Sequence, residues 1–266
     1  MRIGVLALVF GLLTLCMAQA EDIRIAVTTS FHNSGLADIL IPQIRADIGL
    51  DAHLVVVGTG QALRLGQAGD VDAVLVHSRT AEDAFIAAGF GTHRREIMYN
   101  DFVIIGPNAD PALVGDATTV TEALQHIFTA QSPFVSRSDQ SGTHVREMTL
   151  WAQAGIAPKG AWYREAGAGM GATLNVASAM NAYTLADRAS WLNFGNKSDL
   201  NMVFAGDPAL FNQYAFIPVN PDRHPHIRYD LAMMFEAWLT SETAADLINS
   251  YRINGERLFT FNATAQ

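Results

Sequence analysis

The sequence predicts an α/β architecture with parallel sheets, and three observations point to it. Short apolar runs of strand length alternate with segments of helical periodicity along most of the chain. Half of the 266 residues are hydrophobic, which is ample for a sizeable core. Polar turns rich in Gly, Ser and Thr follow the first strands, at the edge where open α/β sheets bind ligands.

The chain begins with a segment typical of a cleavable signal peptide, which we expect over residues 1–20. Arg2 precedes an apolar run over residues 3–17, and Ala-Gln-Ala at 18–20 forms a cleavage site. The run is shorter than the roughly 20 residues that span a bilayer. Cys16 is the only cysteine, so the mature protein would contain no disulfide and no thiolate site.

After this segment, strand-like and helix-like patterns alternate with no internal repeat. The predicted strands cover residues 22–28, 52–57, 73–77, 102–106, 182–185 and 214–219. The predicted helices cover residues 34–47, 61–67, 81–88, 121–129, 144–154, 174–181, 226–241 and 244–251.

The formal net charge of −9 excludes a broad basic face for nucleic acid. The overall field of such a chain does not attract anions either. Any anion site must therefore act locally, through amides, hydroxyl groups and one or two arginines.

Residues 136–144, S-R-S-D-Q-S-G-T-H, predict a site for a small oxyanion, with Ser136 as a candidate donor. Ser141 stands where a helix N-cap is expected, so the amides of Gly142 and Thr143 would point out of the helix end. An anion satisfies such amides and meets the positive end of the helix dipole. Arg137 adds a cationic fork that matches an oxyanion. The alternative is an ordinary capped surface helix with a salt bridge.

Three strand ends add further candidates for the same site. We expect Thr29 and Ser30 after the first strand, and Thr59 after the second, to donate to a ligand. Ordinary turn and cap bonding is the alternative for each. Ser78 and Arg79 follow the third strand. The glycines around Thr59 form no dinucleotide fingerprint, so nucleotide binding is disfavoured.

Several motifs follow one another in a specific order over nearly the whole mature chain. They are T-T-S at 28–30 with N-S-G-L at 33–36, V-G-T-G-Q-A-L at 57–63, G-D-V-D-A-V-L-V-H at 69–77, M-Y-N-D-F-V-I at 98–104, P-F-V-S-R at 133–137, W-Y at 162–163, G-M-G at 169–171, and A-Y-T-L at 182–185 with D-R at 187–188. Together they resemble the periplasmic solute-binding proteins of the tungstate-binding type, the secreted components of ABC importers. Departures from the usual pattern include Phe31-His32, Ser138 and Gln140.

The resemblance implies a type II periplasmic binding protein with two α/β lobes, each a mixed, mostly parallel sheet flanked by helices. Two crossing strands, near residues 104–107 and 216–219, would join lobe 1 (22–105 plus 217–264) to lobe 2 (106–216). The ligand would bind between the lobes. The resemblance further implies a periplasmic, monomeric, non-catalytic protein without a cofactor, whose partner is an ABC permease in the inner membrane.

Two arginines have alternative roles in this arrangement. Arg79 either reaches the anion or pairs with Glu82 or Asp83 on the next helical turn. Arg188 either lines the cleft or is tied by Asp187.

The R-x-D-x-S-G-T pattern also resembles phosphate-binding relatives, so it does not select the anion by itself. In those relatives an Asp after the third strand accepts the proton of hydrogen phosphate, whereas the comparable place here holds Ser78 and Arg79, which are both able to donate to an anion. Such a pocket suits tungstate or molybdate and leaves that proton unpaired, at a cost of about 1–3 kcal/mol. We expect Asp139 to orient Arg137. Sulfate must be excluded by size, and donor contacts do not rank tungstate over molybdate.

A secreted hydrolase is the alternative from another class, with Ser141 or Ser136 acting beside a histidine. The sequence contains no G-x-S-x-G elbow, which disfavours it. The eight histidines show no metal-binding spacing. A sensor that reports ligand state to a receptor would bind the same anion. Trp151, Trp162 and Trp238 are expected in the core.

Overall fold

A computed structural model describes residues 21–139 and 141–263 of the chain. The predicted signal peptide at 1–20, Gln140 and the last residue of predicted lobe 1 lie outside this part. The strands are β1 Glu21–Thr28, β2 Leu50–Val57, β3 Ala73–Val76, β4 Arg95–Pro107, β5 Phe134–Ser136, β6 Tyr163–Glu165, β7 Thr184–Asp187, β8 Leu200–Phe204, β9 Phe211–Pro218, β10 Arg252–Ile253, β11 Glu256–Arg257 and β12 Thr260–Phe261.

The α-helices surround these strands. They are α1 Thr29–Asn33, α2 Ala37–Ile48, α3 Thr59–Ala68, α4 Arg79–Ala87, α5 Val120–Ala130, α6 Gly142–Gln153, α7 Met170–Met180, α8 Arg188–Asn193, α9 Tyr229–Leu239 and α10 Glu242–Ser250. No helix in the described ranges is long and apolar enough to cross a membrane.

The predicted α/β class is confirmed, with a main sheet that is mixed. Its strand order is β12-β4-β9-β3-β1-β2, and β1 pairs in parallel with both β2 and β3. In contrast, β9 runs antiparallel to β3 and β4 on either side of it. Strand–helix alternation predicts parallel neighbours, but it does not reveal a strand that returns from a distant part of the chain.

Strand β4 extends through two packing regions because it changes partners along its length. Residues 95–101 pair with β9, whereas residues 102–107 pair with β7 and β8. The first half therefore belongs to the main sheet beside β1–β3, and the second half to the region formed by β5–β8. The change lies between Asp101 and Phe102. The predicted lobe limits, 22–105 plus 217–264 and 106–216, stay a prediction.

Separate apolar clusters lie in the two regions. One includes Ile25, Leu75 and Phe235 around the main sheet, although it also continues into α7 and α8. Another, around Phe134 and Trp151, packs β5 against α5 and α6. The buried positions of the three tryptophans confirm the expectation that they belong to the core.

Several predicted boundaries were wrong for identifiable reasons. The helix predicted over residues 34–47 begins only at Ala37, since Gly35 has a φ of +79° and lies between α1 and α2. The strand predicted over residues 102–106 is the end of the longer β4, and the one predicted over 182–185 is β7, shifted along the chain. The short elements β5, β6, β8 and α8 were missed because their apolar runs are too brief to show a period.

Gly106 on β4 packs against the ring of Tyr183, and we predict that an added methyl group there is destabilising. A Cβ at this position would lie 2.3 Å from Cδ1 of Tyr183, whose ring is fully buried. We expect Gly106→Ala to lower the free energy of unfolding by about 1–3 kcal/mol, as overpacking does. Urea denaturation measures the change, with Gly195→Ala as a control in open space. Equal stability of the two variants would contradict this packing.

Candidate functional site

A cluster of hydroxyl groups and one imidazole lies at the ends of β1 and β3, against β9. The Oγ atom of Ser30 lies 3.1 Å from Nε2 of His77, 3.0 Å from the hydroxyl of Tyr214 and 3.1 Å from Oγ1 of Thr28. Thr28 also caps the short helix α1, which begins directly after β1. The sequence thus turns from strand to helix at the point where these side chains meet. We call Thr28, Ser30, His77 and Tyr214 the strand-end cluster.

The N-terminus of α6 abuts this cluster from the other region of the fold. Ser141 is the N-cap predicted from the sequence, and its side chain accepts from the amide of His144 at 3.3 Å. Gly142 lies so close to His77 that an added Cβ would be 2.9 Å from the imidazole Cε1. Amides in the first turn of a helix have no acceptor within the helix. Because Gly142 approaches His77, the end of α6 that carries the Gly142 and Thr143 amides lies beside the strand-end cluster.

Arg137 lies beside the same helix end and is held in two directions. Its Nη2 donates to Oδ2 of Asp139 at 2.5 Å, and its Nη1 donates to Oγ1 of Thr143 at 3.3 Å. Burial opposes ionisation of Asp139, but hydrogen bonds from Ser141 and Arg137 outweigh it and hold the pKa of this carboxyl below its usual value. Asp139 thus orients Arg137, as the sequence analysis expected.

The two other candidate arginines are engaged by carboxylates. Arg79 is 66% exposed and donates to Asp83 at 2.8 Å, which is the alternative weighed for it. Arg188 makes a two-pronged bond to Asp101 at 2.6 and 2.5 Å, and these bonds raise its pKa. The suggested tie to Asp187 is wrong, because that side chain caps α8 instead.

The hydroxyl candidates are placed differently from one another. Ser136 is fully buried and donates to Oε2 of Glu147 at 2.8 Å, so its proton is directed into the interior. Thr29 is exposed at the first residue of α1, and Thr59 is half-buried at the first residue of α3. Within the described part of the chain, Ser30 is the one of these hydroxyl candidates that hydrogen-bonds in the strand-end cluster.

His77 is the central residue that sequence reasoning missed. Its ring centroid lies 4.8 Å from that of Tyr214, and its Nε2 contacts Ser30. Burial lowers the pKa of His77 to about 4, against the opposing effect of the Asp187 charge. The imidazole is therefore neutral near pH 7. The available signal was its place directly after the buried strand A-V-L-V. The spacing of metal-binding histidines does not identify a histidine of this kind.

The arrangement offers donors and a positive helix end rather than metal ligands. Within residues 21–139 and 141–263, no group of three or more His, Cys, Asp or Glu side chains could hold a metal ion. A helix N-terminus, a guanidinium and several hydroxyl groups form a cradle suited to a small oxyanion.

The chain resembles proteins of known family in sequence and in structure. Residues 18–243 match the model of the PBP superfamily domain. The tungstate-binding protein TupA of Peptoclostridium acidaminophilum is 45% identical, over 91% of this chain and 86% of its own length. The solved tungstate-binding protein TupA from Desulfovibrio alaskensis G20 is 45% identical with a TM-score of 0.87, covering 92% of this chain and 100% of that one. The solved structure of the tungstate ABC transporter from Geobacter sulfurreducens is 46% identical with a TM-score of 0.79, covering 87% of this chain and 99% of that one.

We predict that protonation of His77 destabilises the fold. The folded-state pKa of about 4 lies below the ordinary value of 6.5, so the unfolded chain binds this proton more readily. The stabilising contribution is present above pH 6.5 and is lost as the pH falls towards 4, by about 3 kcal/mol in full. Urea unfolding at a series of pH values measures it.

Other groups also titrate in this range, so variants isolate the effect of His77. We expect His77→Gln to show a shallower loss of stability between pH 6.5 and 4 than the unchanged protein. His53→Gln, at an exposed histidine, should retain the full loss. Identical pH profiles for all three proteins would show that His77 is not buried as described.

Proposed function

The chain belongs to the PBP superfamily and, within it, to the family of tungstate-binding TupA proteins, and we propose that it captures tungstate and delivers it to an ABC importer. The observation that carries this proposal is the contact between the N-terminus of α6 and the strand-end cluster. It brings two separate sets of donors to one point. The tungstate-binding relatives supply the chemical class of the ligand.

The anion would bind between these two sets of donors. On one side are the amides of Gly142 and Thr143 and the guanidinium of Arg137, which share the positive end of α6. On the other side is the hydroxyl of Ser30, with Thr29 and Thr59 at neighbouring helix starts. A tetrahedral oxyanion has four acceptor oxygens, so it can accept from both sides at once.

The choice of a fully ionised anion depends on the side chains of Arg79, His77 and Asp139. Arg79 turns towards Asp83, so it does not supply the donor expected after the third strand. The side chain at that strand end is the neutral His77. Each oxygen of Asp139 already accepts a hydrogen bond, from Arg137 and from the amide of Ser141, so we assign this carboxylate to holding Arg137 rather than to accepting the proton of hydrogen phosphate. Molybdate has the same charge and shape as tungstate and is the alternative ligand.

A two-lobed mechanism follows from the course of β4. Lobe 1 would contain the main sheet and lobe 2 the elements between β4 and β9, with the crossing where β4 changes partners. Anion binding would favour the closed arrangement, which a membrane permease recognises. We further propose export to the periplasm through the predicted signal peptide, and function as a monomer.

Catalysis is disfavoured by the properties of the one Ser–His contact in the cluster. Ser30 and His77 lie 3.1 Å apart, as a nucleophile and base do. A histidine with a pKa of about 4 is, however, a weak base at neutral pH. The Ser30 hydroxyl is also shared with Tyr214 and Thr28.

Calorimetric titration of the mature protein with tungstate, molybdate, sulfate and phosphate tests the proposal. We expect tight binding of tungstate, and of molybdate if charge and shape alone decide, with far weaker binding of phosphate. Arg137→Glu should abolish binding because it places a negative charge beside the anion, while the circular dichroism spectrum stays unchanged. Tight phosphate binding without a tungstate response would contradict the proposed ligand. Normal anion binding by Arg137→Glu would show that the site lies elsewhere.

Gly142→Ala tests whether α6 and the strand-end cluster form one site. The new methyl group would press on the His77 ring, which Ser30 and Tyr214 hold in place. We expect the N-terminus of α6 to shift away from the strand-end cluster and tungstate affinity to fall by about tenfold, or ~1.4 kcal/mol. Gly171→Ala in the first turn of α7 is the control, because a Cβ there meets nothing within 4 Å. Equal affinities of the two variants would refute the proposed contact.

A further inference from the structure

A buried carboxylate lies beneath the proposed oxyanion site, and no step of the proposed function uses it. Glu147 on α6 is 2% exposed. It accepts from Oγ of Ser136 at 2.8 Å, from the hydroxyl of Tyr163 at 2.7 Å and from Nε1 of Trp151 at 3.3 Å. Burying an ionisable carboxyl is costly unless several donors compensate it. We therefore ask what the buried Glu147 carboxyl does.

The donors that surround Glu147 belong to the segment that carries Arg137. Ser136 precedes Arg137 and donates to Glu147, and the same Oγ accepts from the amide of Ser138 at 3.2 Å. Ser138 has a φ of +47°, a left-handed conformation that a serine rarely adopts without support. Ser136 thus bonds directly to the Glu147 carboxylate, and Ser138, on the other side of Arg137, is connected to it through Ser136 Oγ.

We propose that Glu147 is a positioning residue for oxyanion binding: its carboxylate locks the 136–138 segment to α6 and so sets the guanidinium of Arg137 relative to the helix N-terminus. This inference rests on the proposed function, because the site it positions is the oxyanion site. Glu147 and Gly142 lie on the same helix, so the anchor and the amides move together. Tyr163 on β6 fixes the remaining oxygen of the carboxylate.

The ionised form of Glu147 is the one that performs this role. An ionised carboxylate accepts at both oxygens, whereas protonation turns one oxygen into a donor and removes an acceptor. Burial raises the pKa of Glu147 to about 7, against the hydrogen bonds of Tyr163, Ser136 and Trp151. The titratable and charged groups around it are Tyr163 on β6, Glu165 on the same strand, and Arg137 and Asp139 in the anchored segment. The anchor therefore weakens as the pH falls from 8 to 6.

The test compares Glu147→Gln with the unchanged protein in calorimetric titrations with tungstate and with molybdate. The amide keeps the shape of the carboxyl but replaces one of its two acceptor oxygens with an NH2 donor, so either the Ser136 or the Tyr163 hydroxyl loses its acceptor. We expect affinity to fall by about tenfold at pH 8 and the difference to shrink towards pH 6, where Glu147 itself becomes neutral. Glu236→Gln is the matched control, since Glu236 is also buried but pairs with His93 on the far side of the main sheet.

Ser136→Ala provides a second variant that leaves the carboxylate in place. It should weaken anion binding, and its effect should not add to that of Glu147→Gln, because both break the same link. An unchanged anion affinity in Glu147→Gln, or a loss that is the same at pH 8 and pH 6, would overturn the proposal.

Hydrogen exchange separates this proposal from the proposed function. The Ser138 amide should exchange faster in Glu147→Gln than in the unchanged protein, with no anion present, because its acceptor is no longer held. Protection of that amide in the variant would refute the anchor. Failure of the unchanged protein to bind any of the four oxyanions would instead refute the proposed function.

Discussion

The partner change of β4 is the constraint on which the rest of the structure depends. One continuous strand pairs with β9 in the main sheet and with β7 and β8 beyond it. Because the strand is continuous, the two sheet regions are joined directly, without a loop between them. At the junction, the Asn100 and Asn212 side chains hydrogen-bond to each other at 2.9 Å across the paired strands. This geometry is what allows a helix from one region to lie against the strand ends of the other.

The proposed site would allow an acidic chain to hold an anion without a positive surface. Arg79 and Arg188 are neutralised by Asp83 and Asp101, and the charge of Arg137 is balanced by Asp139. What remains is a set of aligned dipoles: helix amides, hydroxyl groups and a neutral imidazole. Such donors act at short range and are little affected by the net charge of −9. Recognition of this kind depends on precise placement, which is why an anchor such as Glu147 has consequences.

Local patterns predicted much of the fold and part of the geometry of the candidate site. The Ser141 cap, the helix after it and the pairing of Arg137 with Asp139 all lie within one short segment, so neighbouring residues determine them. The partners of Arg188 and Ser30 could not be predicted in this way. Arg188 meets Asp101, and Ser30 meets Tyr214, only because β4 and β9 bring distant parts of the chain together. The position of His77 directly after β3 can be read from the sequence, but its close approach to Gly142 on the facing helix cannot.

The position of β9 also has a consequence for how the chain reaches its native state. This strand lies between β3 and β4 in the sheet, yet in the chain it comes after all the elements of the second region, β5–β8 included. The first four strands therefore cannot complete their sheet from local contacts, and β3 and β4 expose unpaired edges until β9 inserts. Folding dominated by such long-range pairing is slow, because the loop must be closed before the pairing is gained. The same topology that fixes the site makes the unfinished chain prone to association through its open edges.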